Sequence, residues 1–236
     1  MELDALINNI CDDVYDFHIE EENELNSHHY CVMSIDIGII HLAISVSTLD
    51  EDYNLLEIIW IDLIDITTFN CSKNECELYH TKTFTDQLNH VFKENIKFFN
   101  YADFILIERQ PPMGLVAIEQ LIFSKYREKA ILVSPNSMHA FFGIGKYDYD
   151  QRKIFTEKIA KERIMDQRLL EQLTYYDRVH DIGDSIAQML YWIYIKKQQL
   201  LKKREMDRLK IMKMKYKGST LSVDDFFSDH QFITPK

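Results

Sequence analysis

Glycine and proline are scarce in this sequence, with six glycines and four prolines among 236 residues. Disordered and loop-rich chains carry far more of both, so the composition argues against either class. Hydrophobic residues make up 46% of the chain and aromatic residues 12%, which is enough to bury a sizeable core. One α/β domain with extensions is the simplest organisation for this length.

Long hydrophobic runs are also missing. No apolar run approaches the roughly 18 residues that a membrane-spanning helix needs. The N-terminal segment MELDALINNICDD is acidic, whereas a secretory signal begins with basic residues. We therefore expect a soluble, intracellular protein that has no membrane partner.

The four cysteines do not form a CxxC pair, and they lack histidines at zinc-finger spacing. They are Cys11, Cys31, Cys71 and Cys76. The favoured interpretation is that all four are reduced thiols. A disulfide between Cys71 and Cys76, or a metal bound by these two and His80, is the less favoured alternative.

Positive charge is absent from residues 1–30, which carry nine carboxylates and no Lys or Arg. Without them the net charge of −11 falls to −2. Residues 196–217 hold ten Lys or Arg and two acids in a helical pattern. Such a segment can line a phosphate backbone, although a solvated helix face is the commoner explanation. We predict an acidic extension over 1–30, a main domain over 31–200 and a basic helical tail over 201–236.

Five β-rich runs organise the main domain. Short turns join 31–36, 41–48 and 55–65, which predicts an antiparallel meander. The run 104–107 is apolar throughout, as is typical of a central parallel strand, and 130–135 follows it. Helices are expected at 5–19, 84–99 (with Thr85 as candidate N-cap), 114–126, 154–166 and 180–195, and loops at 67–82 and 138–153.

Two carboxylates stand at the ends of predicted core strands. Asp36 lies among apolar residues in SIDIGIIHLAISV, and Glu108 follows the run FILI. A carboxylate in such surroundings needs a cation or hydrogen bonds, which suggests a metal ligand at Asp36. A turn residue before Gly38 explains this stretch equally well by itself. The carboxyl edge of an open α/β sheet is where ligands bind.

A third acidic position begins the late helix. Asp181 and Asp184 are three residues apart, so on a helix their side chains share one face. A pair in a first turn is often only a cap or a response to the helix dipole. Combined with Asp36 and Glu108, however, the pair predicts a site for two Mg²⁺ ions about 3.5–4 Å apart, as used in phosphodiester hydrolysis.

Three stretches carry a resemblance to a known family. They are SIDIGIIHLAISV, ILIERQPPMGLVAIEQLIF and VHDIGDSIAQML. In this order they resemble the RuvC-type Holliday junction resolvases of the ribonuclease H-like superfamily, especially the poxvirus members. The resemblance covers roughly residues 31–195.

The resemblance implies a mixed five-stranded sheet flanked by helices, here with a basic helical extension at its C-terminal end. It implies a metal-binding catalytic tetrad, namely Asp36, Glu108, Asp181 and Asp184. It also implies a catalytic basic residue, for which Lys153 is the candidate, with Lys146 and His180 behind it. The cofactor would be two Mg²⁺ ions, with Mn²⁺ as a substitute.

The implied activity is paired symmetric nicking of four-way DNA junctions and replication concatemers by a homodimer; a poxviral enzyme would act in the cytoplasm of the infected cell. The apolar helix 114–126 is the candidate dimer interface, although ordinary packing on the sheet is the first explanation of its pattern and a subunit interface the second. The candidate DNA-binding residues are Lys146, Arg152, Lys153, Lys202, Lys203 and Arg204.

Three other functions remain open. A nuclease acting on RNA/DNA hybrids is the nearest alternative. An actin-like ATPase begins with a similar hairpin but normally duplicates the domain, and 236 residues leave no room for a second copy. A non-catalytic DNA-binding scaffold would not depend on Glu108 or Asp184.

Overall fold

The computed structural model describes residues 29–216. Residues 1–28, with the helix predicted over 5–19 and nearly all of the predicted acidic extension, and residues 217–236 lie outside this part of the chain. Among the described residues, no helix combines the length and the apolar character needed to cross a membrane.

Five strands form one mixed sheet in the order β3-β2-β1-β4-β5. They are β1 (Tyr30–Ile37), β2 (His41–Leu49), β3 (Leu55–Asp65), β4 (Phe104–Glu108) and β5 (Ala130–Val133). The first three pair antiparallel, while β4 runs parallel to both β1 and β5. The predicted meander and the predicted central parallel strand are both confirmed.

Helices cover both faces of the sheet. They are α1 (Phe84–Glu94), α2 (Ile96–Tyr101), α3 (Val116–Lys125), α4 (Pro135–Phe141), α5 (Tyr149–Arg163), α6 (Gln167–Leu173) and α7 (Val179–Tyr216). Because strand side chains alternate between faces, Val32 enters a core with α5 and α7, and Met33 enters a second core with α1 and α3. The sheet is therefore buried on both sides at its centre.

Three local predictions were wrong. The single helix predicted over 84–99 is interrupted at Asn95, so that α1 ends at Glu94 and α2 begins at Ile96. The stretch 138–153 is not a loop, because α4 occupies its start and α5 begins at Tyr149. Ser134 and Asp148 cap these helices, and Asp148 accepts the N–H of Gln151 at 2.8 Å. The N-cap of α1 is Thr83 rather than Thr85, since the Thr83 hydroxyl accepts the N–H of Asp86 at 3.4 Å.

Helix α7 is 38 residues long, which corresponds to about 57 Å. Its first half packs on the sheet, with Ile182, Ile186 and Ile193 in the core. From Leu201 to Lys213 every residue is exposed. The predicted domain boundary at residue 200 falls inside this one helix and stays a prediction.

Candidate active site

Two neighbouring parallel strands place the first two carboxylates side by side. Ile35 of β1 is aligned with Ile107 of β4, so the next residues, Asp36 and Glu108, lie side by side at the same edge of the sheet. Asp181 and Asp184 approach this edge from the first turns of α7. The four predicted tetrad residues therefore come together.

The carboxylates line a cavity of about 150 Å³. Asp36, Asp181 and Asp184 each offer an oxygen, and these three oxygens lie within 4.8 Å of one another. Glu108 lines the same cavity and is hydrogen-bonded to the Asp36 side chain. Clustered carboxylate oxygens are the ligands that hard cations such as Mg²⁺ and Mn²⁺ prefer, so this donor set could hold a divalent metal ion.

Burial is the main cause that raises the pKa values of Asp36, Glu108 and Asp184, and repulsion between neighbouring carboxylates adds to it. Burial, and then repulsion from Glu108, Asp184 and Asp181, raises the pKa of Asp36 well above its usual range. Burial also raises the pKa of Glu108, although hydrogen bonds with Asp36 and Gln110 oppose the shift. Burial, with repulsion from Asp181 and Glu108, raises the pKa of Asp184 to about 7. A bound divalent cation would remove the cause of the repulsion.

Asp181 has a cationic partner that the sequence analysis missed. Arg178 donates from Nε to Oδ2 at 2.6 Å and from Nη2 to Oδ1 at 3.1 Å. This two-point contact fixes the plane of a carboxylate that is only 6% exposed. The position of Arg178 three residues before Asp181 was the only available signal.

Buried contacts fix how α7 sits on the sheet. Gln188 donates to the Ser34 hydroxyl at 3.1 Å, and the Ser185 hydroxyl lies 3.1 Å from that of Ser45. A Cβ atom at Gly183 would lie 2.0 Å from the carbonyl oxygen of Thr156 on α5. Only glycine permits this close approach. Gly183, which directly precedes Asp184, therefore determines how closely α7 lies against α5.

A basic and aromatic wall faces the carboxylates. Arg152 and Lys153 of α5 line the cavity together with Tyr149 and His139. The Nζ atom of Lys153 lies 4.1 Å from the centre of the Tyr149 ring. Burial lowers the pKa of His139, and the nearby Arg152 lowers it further. This wall is where a polyanionic substrate would be attracted.

His180, the alternative basic candidate, also lines the cavity. Its Nε2 atom is 3.1 Å from Oδ1 of Asp181, but that nitrogen lacks a hydrogen-bond partner of acceptable geometry. Burial lowers the pKa of His180, and Asp181 partly opposes this.

The remaining candidate DNA-binding residues lie away from the cavity. Lys146 is exposed, with Nζ 5.7 Å from the Tyr147 ring. Lys202, Lys203 and Arg204 are on the exposed half of α7, where Arg204 forms an ion pair with Asp52. The structure thus separates a basic group at the cavity from a distant basic helix.

Hydrogen bonds from the loop after β4 hold the Glu108 side chain in place. Gln110 donates from Nε2 to Oε2 of Glu108 at 2.6 Å, and its backbone N–H donates to Oε2 of Glu119 at 2.6 Å. Glu119 is 4% exposed. The sequence analysis missed both residues, although Gln110 follows Glu108 by only two positions.

No protein-family model and no curated protein sequence matches the chain. Solved structures do match it. The Fowlpox virus resolvase in complex with substrate Holliday junction DNA superposes with a TM-score of 0.51 and 18% identity, covering 70% of this chain and 97% of the viral one. The Fowlpox virus Holliday junction resolvase by itself gives a TM-score of 0.50, with 18% identity and coverage of 70% and 98%.

A third match is a yeast mitochondrial protein. The yeast mitochondrial Holliday junction resolvase Ydc2 superposes with a TM-score of 0.54 and 17% identity, covering 75% of this chain and 85% of the yeast one. Identities this low establish the fold alone. The chain therefore has the ribonuclease H-like fold of the poxviral and yeast mitochondrial resolvases, a mixed five-stranded sheet flanked by helices.

Proposed function

We propose that this protein is a metal-dependent endonuclease that resolves four-way DNA junctions. The observation that carries the proposal is the convergence of four carboxylates at the carboxyl edge of β1 and β4, opposite Arg152 and Lys153. The structural neighbours, which include a resolvase solved with its junction, favour this substrate over others.

Asp36, Glu108, Asp181 and Asp184 are the residues that would hold two Mg²⁺ ions. When bound, such ions activate the attacking water and stabilise the leaving 3′ oxygen in phosphodiester hydrolysis. Arg178 orients Asp181 through its two hydrogen bonds. Gln110 restrains Glu108 in the same way.

Lys153 is proposed as the basic residue at the scissile phosphate. Its ammonium group lies over the Tyr149 ring, which restricts its position without neutralising its charge. Arg152 is the neighbouring residue on α5, and its positive charge partly opposes the rise in the pKa of Asp184. Both cations lie on a helix rather than a loop, so their distance from the carboxylates is set by the packing of α5 on α7.

DNA beyond the scissile phosphate would be held by backbone contacts. Lys146 offers an exposed charge in the loop before α5, and Lys202, Lys203 and Arg204 offer charge along the exposed half of α7. Contacts of this kind carry no base sequence information. Selection by the shape of the junction follows from this arrangement.

Paired nicks, and the resolution of concatemers, would require two active sites, and we propose a homodimer formed through α3. Ile118 and Ile122 of this helix are buried in its own core, so they are not available to a partner. Its exposed positions include Ala117, Gln120 and Ser124, which are small enough or flexible enough to allow a second helix close approach. A monomeric mass in solution at micromolar concentration would contradict this arrangement.

The test is a cleavage assay with Mg²⁺ on a labelled four-way junction, a linear duplex and an RNA/DNA hybrid. The proposal predicts paired nicks in the junction alone, lost in Asp184→Asn and retained in Asp177→Asn. Asp177 is exposed and lies outside the cavity, so it is a matched control. Cleavage of the hybrid instead would assign the site to a ribonuclease H-type enzyme.

A further inference from the structure

A second cluster of side chains of metal-ligating types lies outside the carboxylate cavity. It is formed by the segment between β3 and α1, residues 66–83, which contains no helix or strand. Long segments of this kind are uncommon inside compact domains unless something orders them. This one brings Cys71, Cys76 and His80 together against His90 of α1.

The ligand atoms of the cluster are already close to metal-site spacing. The Sγ atom of Cys71 is 3.2 Å from Nε2 of His80 and 3.3 Å from Nδ1 of His90. One ligand atom from each of the four residues lies within 4.8 Å of the others. With Zn–S and Zn–N bonds of about 2.3 and 2.0 Å, tetrahedral geometry separates sulfur from nitrogen by roughly 3.5 Å.

Contacts around the cluster orient its histidines. His90 is 3% exposed, and its Nε2 atom lies 3.4 Å from the carbonyl oxygen of Tyr79. A proton on Nε2 leaves the lone pair of Nδ1 directed at the cluster, which is the usual arrangement around a metal-bound histidine. The ring of Phe69 packs against both His80 and His90, with centroids 5.0 and 4.5 Å away.

The backbone also returns the second cysteine to the first. The carbonyl oxygen of Ser72 accepts the N–H groups of Glu75 and Cys76 at 3.1 and 3.0 Å. This single turn brings Cys76 beside Cys71 without a disulfide, since both thiols are free. The ligand spacing is C-x4-C-x3-H-x9-H, and the long final interval arises because His90 belongs to a helix.

We propose that Cys71, Cys76, His80 and His90 bind one Zn²⁺ ion that holds the 66–83 segment against α1. Two thiolates and two imidazoles select zinc over the hard cations that suit carboxylates. Four protein ligands leave no open coordination position for a substrate, so the site is structural. Binding releases the thiol protons, so affinity should rise with pH.

The test is metal analysis of the full-length chain purified under reducing conditions without chelators. The expected result is equimolar zinc in the wild type and its loss in the double variant Cys71→Ser/Cys76→Ser. If the double variant does not fold, His80→Gln replaces it as the test. This variant changes a half-buried ligand and should also lose zinc. The control Cys31→Ala removes a thiol outside the cluster and should retain zinc.

Cobalt provides a second readout on the wild type. Co²⁺ added in place of zinc should give the intense visible absorption of a tetrahedral site and thiolate charge-transfer bands. Asp36→Asn should leave both unchanged, because its site contains only oxygen ligands. Wild-type protein without zinc and without this cobalt spectrum would overturn the proposal, as would a Cys71–Cys76 disulfide in the reduced preparation or zinc retained by the cysteine variant.

Discussion

The two clusters of potential metal ligands differ in donor chemistry, in charge and in how the fold assembles them. The carboxylate cluster stands on the ends of β1, β4 and α7, opens into a cavity and faces Arg152 and Lys153. The Cys/His cluster is formed by the irregular segment 66–83, which supplies Cys71, Cys76 and His80, and by His90 of α1. Strands and a helix hold the like-charged carboxylates together in spite of their repulsion. Such a preformed site suits a function in which cations and substrate bind and leave. A loop, in contrast, gains its order from the ion it binds.

Single substitutions should separate the two clusters most clearly. Asp36→Asn should lower the rate of junction cleavage by roughly a thousandfold or more, because lost charge stabilisation of several kcal/mol corresponds to such a factor. The variant should keep its fold and its zinc. Cys71→Ser should show the opposite pattern, with zinc and thermal stability lost but cleavage retained at low temperature. Equal rate losses in both variants would remove the distinction.

The packing of α5 on α7 offers the next largest effect. Gly183→Ala places a methyl group 2.0 Å from the Thr156 carbonyl oxygen, so α7 must move away from α5. We expect a loss of about 1–3 kcal/mol in the free energy of unfolding and a fall in cleavage rate of about 10–100-fold as Asp184 shifts. Denaturant titration and single-turnover cleavage measure these quantities.

Gly145→Ala is the matched control for this substitution, because an added Cβ there meets no atom within 4 Å. It should behave as wild type in both measurements. A harmless Gly183→Ala would show that the two helices are not held at a fixed distance.

Much of the fold and of the carboxylate cluster could be predicted from local sequence. The apolar run 104–107 and the short turns of the meander determine the sheet, and the alignment of parallel strands brings Asp36 next to Glu108. The i, i+3 spacing of Asp181 and Asp184 brings these two carboxylates onto one face of α7. These predictions need only the repeat of a strand or a helix.

The other features depend on contacts between distant segments. The two helices that enter the stretch 138–153 lack a clear apolar stripe. Their only sequence signals are the N-cap residues Ser134 and Asp148. His90 reads as an ordinary helix residue until the 66–83 segment folds over it. The contact of Gly183 with Thr156 likewise depends on a packing distance that the sequence pattern does not contain.

Burial of the carboxylate cluster, together with repulsion between its charges, predicts that stability without bound metal falls as pH rises. The pKa of Asp184 rises from 3.8 to about 7 on folding, so the folded chain resists its ionisation. Its contribution to stability is complete below pH 3.8 and is lost as pH rises through about 7. With each pKa unit worth about 1.4 kcal/mol, the loss is at most about 4 kcal/mol.

Denaturant titrations without added divalent ions should therefore show stability falling between about pH 4 and pH 8. Mg²⁺ should restore stability at the upper end. Asp184→Asn should make the fall smaller without abolishing it, because the pKa values of Asp36 and Glu108 are also raised, and Asp177→Asn should leave the profile unchanged. A wild-type profile that does not change with pH would contradict the proposed crowding.

The smallest effect is expected on the exposed half of α7. The double variant Lys202→Ala/Lys203→Ala should weaken junction binding about tenfold at low salt and reduce the salt dependence by about one to two phosphate contacts. The cleavage rate of bound junction should not change. Gln199→Ala, at an exposed position on the same helix, is the control, and unaltered binding by the lysine variant would exclude this helix from the DNA interface.

The most direct measurement is junction cleavage by protein that retains its zinc but has been dialysed free of weakly bound cations. Zinc content, measured on the same sample, shows that the Cys/His cluster is intact. The account predicts no cleavage until Mg²⁺ is added, followed by paired nicks in the wild type and none in Asp184→Asn. Cleavage at the full rate without Mg²⁺, or restored by Mg²⁺ in Asp184→Asn, would contradict the assignment of catalysis to the four carboxylates.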